Sequence, residues 1–348
     1  MTLPTTYLSA LLVTILGLIA LGSWINTLKL ASKWRYELYY YDFAIGIFVA
    51  ALVAAFTLGT LGADGFTLMD DAMRAGKRNM AWGIASGMLF NLGNMLLVGA
   101  STLLGITVAF PLGLGAALIV SSLFSYITSP EGNPTMVFAG LAMVLLAVLM
   151  GVITYRSLAM TRELQRMKAG QHRTLRPSVS WKGVLATVIS GLLIGMLPLP
   201  VSAATTGDTG VGPYLLMLAF SVGILFSTFV YNLFLMNLPL KGKPVEILEY
   251  LRGQFRFHML GWLGGAVWAT GMTAVYVAAS SADEASLAPA TRFAILQAVP
   301  LVTALWGIIA WKEFREAGAR AQSFLAVTLV LYLAGLVMLY LASFSASA

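Results

Sequence analysis

Asn91 and Asn94 lie three residues apart within Gly83–Pro130, 48 residues that contain no Asp, Glu, Lys, Arg or His. A spacing of three sets both amides on one face of a helix. An amide donates and accepts at once, which suits a neutral solute bearing hydroxyl, urea or carbonyl groups. The plainer reading is a hydrogen bond between helices, worth about 1 kcal/mol in a membrane. Both readings stay open, because polar groups inside a membrane are costly and often functional. Gln297 is the amide of another apolar stretch and ranks with Asn94. Thr107, Thr270 and Asn232 add hydroxyl and amide groups, and Trp268 lies about ten residues into its own stretch, where a ring can stack on a planar or sugar-ring solute. Trp24 is either a wall of the same site or an aromatic belt residue at the membrane surface. Pro111 and Pro300 each remove a backbone hydrogen bond and are the hinge candidates, with Thr107 four residues before Pro111 to help satisfy the break.

Other chemistries are poorly served. The chain has no cysteine, so disulfide, zinc-thiolate and thiol chemistry are excluded. His172 and His258 both fall near basic loops, and no HExxH, G-x-S-x-G or GxxxxGK[ST] pattern occurs. No catalytic residue, metal site or cofactor is expected. All 14 acidic residues fall in loops or at the ends of apolar stretches. A carboxylate relay at mid-membrane is therefore not expected, and a charged solute would lack a buried counter-ion. Coupling to protons would use an edge group such as Asp42, or water; facilitated diffusion stays open.

The elements that must position these residues are membrane spans. The chain is 59% hydrophobic and only 10% charged, against about 25% charged in a soluble domain. About 20 apolar residues cross a bilayer as a helix. Apolar runs fall at 5–24, 43–62, 79–98, 105–127, 135–155, 182–200, 212–237, 258–279, 290–311 and 321–343. The first has no basic flank and is read as a retained span. Seventeen of the 21 Lys and Arg follow odd-numbered spans, while Arg74, Lys77, Arg78 and Arg292 lie on the other side. Positive residues stay in the cytoplasm, so both termini point outward from the cytoplasmic membrane. The net charge of +7 is thereby attributed to inner loops facing lipid headgroups rather than to nucleic acid. The stretch 245–257 is amphipathic and suits the inner surface.

Five spans precede the basic loop and five follow it. Residues 1–156 and 182–348 are read as two five-helix repeats joined by a basic cytoplasmic linker, 157–181. An odd number of spans makes similar halves antiparallel. Gly83, Gly87, Phe90 and Gly93 have the spacing of Gly261, Gly265, Trp268 and Gly271, and Ala109-Phe110-Pro111 echoes Ala298-Val299-Pro300. Gly22-Ser23-Trp24 pairs more loosely with Gly195-Met196-Leu197.

Several of these stretches carry a family resemblance. Gly22-Ser23-Trp24, Tyr41-Asp42, Ala55-Phe56-Thr57-Leu58-Gly59, Phe90–Asn94, Ala109–Gly113 and Gly264–Trp268 followed by Gly271 resemble the drug/metabolite transporter superfamily, in particular its ureide permease and glucose/ribose porter branch. The resemblance implies ten helices in two inverted repeats and proton-coupled uptake of small polar solutes: allantoin, uracil and related heterocycles for ureide permeases, sugars for the porters. Two departures stand out. The loop Arg156–Lys182 lacks the phosphate-loop-like motif of plant ureide permeases, and Met272 stands where a second amide would match Asn94.

The expected fold is therefore an all-α integral membrane protein with ten transmembrane helices in two inverted five-helix repeats. The expected function is secondary transport of a small neutral polar solute, ureide or nucleobase-like, with a monosaccharide as the alternative. The site is expected where spans 3, 4, 8 and 9 meet. Readings from other classes are a membrane-embedded solute sensor and an enzyme acting on lipid-linked groups.

Overall fold

A computed structural model describes residues 1–62, 64–128, 130, 132–168, 180–281 and 287–345. Among them the regular structure is helical, and ten helices are long and apolar enough to cross a membrane. Helices satisfy their own backbone polar groups, which lipid cannot do. The order is α1 (Tyr7–Ser23), α2 (Ile25–Leu30), α3 (Tyr36–Phe56), α4 (Leu68–Arg74), α5 (Lys77–Leu104), α6 (Ile106–Thr128), α7 (Pro134–Lys168), α8 (Trp181–Gly195), α9 (Pro198–Thr205), α10 (Pro213–Asn237), α11 (Leu248–Leu251), α12 (Phe255–Ala279), α13 (Pro289–Leu296), α14 (Val299–Ile309) and α15 (Ala319–Ala342). Spans one, six and nine are each made of two helices, interrupted at Trp24, at Met196-Leu197 and at Gln297-Ala298. The first two interruptions fall on the stretches that the sequence pairs loosely.

Several sequence-based boundaries shift, and two of the shifts bear on charged residues. The second span starts at Tyr36 rather than residue 43, so Glu37 and Asp42 lie inside a helix and are fully buried. Hydropathy places a span after the last charge; here protein partners, not water, solvate those charges. The helix of span five runs on to Lys168, so residues 157–168 of the expected linker are helical. Residues 169–179 of that linker, including His172, lie outside the described residues, as do Glu131, Asp283 and Glu284.

The helices form two compact units. The first contains Met1–Met95 and Met196–Val299. Within it α3 packs on α12 and α10, and α1 packs on α12 and α13. The N-terminus is fastened here: the Met1 ammonium donates to the Asp64 carbonyl at 2.7 Å, and Thr2 bonds the carbonyls of Leu58 and Leu61. The second unit contains Leu96–Gly195 and Pro300–Ala348. In it α6 packs on α8 and α7, and α7 on α15. The Thr154 and Thr328 hydroxyls meet at 3.2 Å between α7 and α15. Each unit draws on both halves of the sequence.

Glycine sets the closest approaches. In the second unit a Cβ at Gly191 would lie 2.6 Å from the Gly113 carbonyl oxygen, and one at Gly140 would lie 3.1 Å from that of Gly335. In the first unit Gly87 faces the Phe220 carbonyl and Gly265 faces that of Phe43, with no room for a methyl group at either. Lipid tails are as apolar as leucine, so such packing rather than a hydrophobic drive holds helices together. We predict that Gly87→Ala and Gly265→Ala each lose roughly 1–3 kcal/mol through overpacking. Gly151→Ala, whose new methyl meets only ordinary contacts at 3.7 Å or beyond, should be neutral or gain up to about 1 kcal/mol. Thermal melts of the three variants in detergent check this.

Candidate functional site

The first unit is built on two helix crossings in the same register. In one, Gly87 of α5 meets the Phe220 carbonyl of α10, and Gly223 meets the Ile84 carbonyl. In the other, Gly265 of α12 meets the Phe43 carbonyl of α3, and Gly46 meets the Trp262 carbonyl. Phe43-Ala44-Ile45-Gly46-Ile47 thus matches Phe220-Ser221-Val222-Gly223-Ile224, residue for residue. This register gives each side chain a counterpart in the other crossing. Asp42 corresponds to Ala219, Tyr40 to Met217, Asn91 to Ala269 and Asn94 to Met272. Where one crossing carries polar groups, the other carries apolar ones. Packing demands the shared positions; it does not demand those polar differences.

The aromatic counterparts meet directly. Phe90 and Trp268 stack with ring centroids 4.6 Å apart, and Phe220 lies 6.0 Å from Trp268 on its own stack. Phe43 meets Trp268 edge-on at 6.4 Å, and Trp24 packs on Phe43 at 4.5 Å. Trp24 therefore belongs to this layer and not to a surface belt; it is 2% exposed. Asn94, one turn beyond Phe90, donates to the Tyr40 hydroxyl at 2.9 Å, and the Tyr40 ring lies 5.1 Å from Phe43. Asn94, Trp268 and Trp24 are thus brought together.

Asn91 turns away from Asn94. Its Nδ2 contacts the Ile224 carbonyl and the Ser227 and Thr228 hydroxyls of α10, which is a bond between helices, while its Oδ1 is buried without a protein partner. The two amides do not share partners, because a three-residue step rotates a side chain far enough to face a different neighbour. Asn232 donates to the Glu37 carbonyl, and its own Oδ1 is likewise buried without a partner. Thr270 returns its hydroxyl to the Ala266 carbonyl and stands in the wall of an apolar cavity. Gln297 ends α13, at the interruption of span nine.

Asp42 is the largest departure from the sequence-based expectation. It sits two turns into α3, 0% exposed. Its Oδ1 accepts from the Tyr250 hydroxyl at 2.7 Å and the Trp262 indole at 3.0 Å, and its Oδ2 lies 2.9 Å from Nδ1 of His258. Gly261 gives α12 the clearance to pass its Cβ. Asp42 is therefore a buried carboxylate with a histidine partner and not an edge group, and His258 stands in the first turn of α12. Trp34 and Tyr250 meet the His258 ring edge-on at 4.6 and 4.7 Å. Burial first, and then the hydrogen bond to Asp42, push the Tyr250 phenol above its ordinary range and keep it a neutral donor. Nearby, Arg35 forms an ion pair with buried Glu37 at 2.6 Å and donates to the Lys243 carbonyl. The Glu37 hydrogen bond holds the Arg35 guanidinium above its usual value, against the opposing effect of burial. The counterparts of Asp42, His258 and Trp262 are Ala219, Met80 and Ile84, so this polar cluster too exists in one crossing only.

In the second unit Glu313 caps the start of α6. Its carboxylate accepts from the backbone N–H of Ile106 and Thr107 and from the Thr107 hydroxyl at 2.6 Å. Gly105, at φ +84°, makes the sharp turn from α5. The Thr107 hydroxyl is thus committed to Glu313 and does not serve Pro111, which lies buried inside α6. Pro300 stands in the first turn of α14, where a missing N–H costs nothing; the helix break lies before it, at Gln297-Ala298. The partners of Tyr40, Tyr250 and Trp262 were not legible in the sequence, nor was the capping role of Glu313. The Phe-x-x-Gly-Ile repeat was the available signal, since aligning it reveals which positions differ in polarity.

Residues 39–188 match the family described as ureide permease. Ureide permease 2 of Arabidopsis thaliana is 22% identical, with 94% of this chain and 96% of that protein aligned. Ureide permease 1 of the same plant is 20% identical over 94% and 95%. A solved structure described only as a protein crystal structure shares the fold, with a TM-score of 0.51 at 16% identity over 97% of this chain and 99% of that one.

Removing the Tyr250 hydroxyl deprives a charged acceptor of a bond worth about 1.5–3 kcal/mol. Tyr250→Phe should lower stability by that amount, and Asp42→Ala by more, roughly 3–5 kcal/mol, because His258 and Trp262 lose their acceptor. The double variant should cost less than the sum of the two, by at least about 1 kcal/mol. A denaturation cycle on the four proteins measures the coupling.

Proposed function

We propose that this protein is a secondary transporter of a small, neutral, planar polar solute of the ureide or nucleobase type. The observation that carries the reading is the Asn94–Tyr40 pair joined through Phe43 to the Trp268–Phe90 stack. An amide and a phenol match the N–H and C=O groups of a ureide, and the aromatic layer offers a flat face to a planar ring. Among the described residues no ionised group bonds this pair and stack, which favours a neutral solute. Phe90 covers Trp268 in the conformation described, so a solute that stacks there displaces Phe90. The named ureide permeases, similar along 94% of the chain, support this class over a monosaccharide.

Two inverted five-helix repeats are the architecture we assign. Exchanging the first five spans for the second five converts the α3·α12 pair into α10·α5, α6·α8 into α13·α1, and leaves α7·α15 and α3·α10 unchanged. Five spans per half then require antiparallel halves. The charge asymmetry of the loops supports cytoplasmic basic loops and outward termini in the cytoplasmic membrane. Asp42 and His258 are the proposed coupling pair: a buried carboxylate against an imidazole can hold or release one proton as its other donors leave.

Uptake into proteoliposomes tests the reading, with radiolabelled allantoin, uracil, glucose and ribose as the panel. An inward proton gradient should drive accumulation of allantoin or uracil and not of the sugars. Asn94→Ala and Trp268→Ala should each raise KM about tenfold, equivalent to about 1.4 kcal/mol. Asp42→Asn should abolish gradient-driven accumulation while solute exchange across the membrane continues. Sugar uptake in place of ureide uptake, or unchanged KM in both variants, would reject the assignment.

A further inference from the structure

The first unit contains a cavity of about 380 Å³ between the N-terminal segment, α1, α3 and α12, within the size range of small-molecule sites. Val13 and Leu16 of α1, Ala54 at the end of α3, Leu58 beyond it, and Ala274 and Val277 of α12 supply apolar wall. All of these lie toward the end of the unit that carries the amino terminus. The closing segment is fastened: Tyr214 donates to the Thr2 carbonyl at 2.8 Å, in addition to the bonds Thr2 makes with Leu58 and Leu61.

Small side chains open this space. The counterpart of Ala54 in the matching crossing is Tyr231, and that of Ala274 is Leu96. The polar groups in the wall are already engaged. Thr270 and Thr273 donate their hydroxyls to carbonyls one turn back on their own helix. A water needs two to four polar partners to settle in a cavity, and a ureide would leave its C=O groups without a donor there, since the wall hydroxyls have already given theirs to backbone carbonyls. Hydrocarbon needs neither and gains dispersion contacts along every wall. Leu16 both lines the cavity and is exposed on a spanning helix, where Leu12 of α1 and Val49 and Val53 of α3 are exposed apolar side chains as well.

We propose that this cavity binds the hydrocarbon tail of a bilayer phospholipid from the leaflet on the amino-terminal side. The tail inserts between α1 and the outer ends of α3 and α12 and takes the volume that Tyr231 and Leu96 occupy at the matching positions. The site is separate from the Asn94–Tyr40 pair and does not depend on what the protein transports.

The full-length protein in nanodiscs of phosphatidylcholine carrying a diazirine in one acyl tail tests it. After illumination, peptides bearing Val13, Ala54 and Ala274 should carry several-fold more label than those bearing Leu145 and Leu149 of α7, which are simply lipid-exposed. Ala54→Tyr and Ala274→Leu should each reduce cavity label to the α7 level while leaving the α7 label unchanged. If Ala54→Tyr fails to fold, Ala274→Leu alone decides. Equal label at both places, or cavity label that survives the filling variant, would overturn the proposal. So would displacement of the label by millimolar allantoin or uracil, which would make the cavity a solute site.

Discussion

Backbone-to-backbone approach at glycine is the constraint on which the first unit rests. Gly87 against the Phe220 carbonyl and Gly265 against the Phe43 carbonyl bring four long helices close enough that no side chain separates them. In lipid this contact supplies dispersion and weak Cα–H···O bonds in place of a hydrophobic drive. The same contacts set the register, and the register decides which side chains face one another. Phe90 meets Trp268, and each lies three residues beyond the contact glycine of its own helix, Gly87 or Gly265.

A scaffold repeated in this way separates packing from chemistry. The shared glycines, phenylalanines and isoleucines set the close crossing of the helices; the residues that differ between counterparts are not needed for that approach. Asp42, Tyr40, Asn91, Asn94, His258 and Trp262 are polar or hydrogen-bonding where Ala219, Met217, Ala269, Met272, Met80 and Ile84 are apolar. Burial of a carboxylate without partners would be prohibitive. Asp42 persists because Tyr250, Trp262 and His258 converge on it from one helix and the short segment before it. The Asp42 cluster also ties α11 to α3 through Tyr250, and the Arg35 contact with Lys243 anchors the neighbouring loop. A change in the charge on Asp42 would therefore be felt by that whole segment.

The sequence by itself determined the solvent, the number of spans and their approximate limits. Those follow from composition and run length, and lipid allows few alternatives to a continuous helix. It also supplied the glycine spacing shared by spans three and eight. The aromatic character of residue 268 and the amides of the uncharged stretch were visible as types. Their partners were not, because Asn91 and Asn94 have the same chemistry and nearly the same sequence context. Only the tertiary structure decided that one bonds α10 and the other meets Tyr40. It likewise decided that Asp42 is solvated by a phenol, an indole and an imidazole 208 to 220 residues away. Hydropathy reads a charge as an edge because it assumes water as the only solvent for it. Which protein groups can take the place of that water depends on helix register and crossing, and these exist only once the chain has folded.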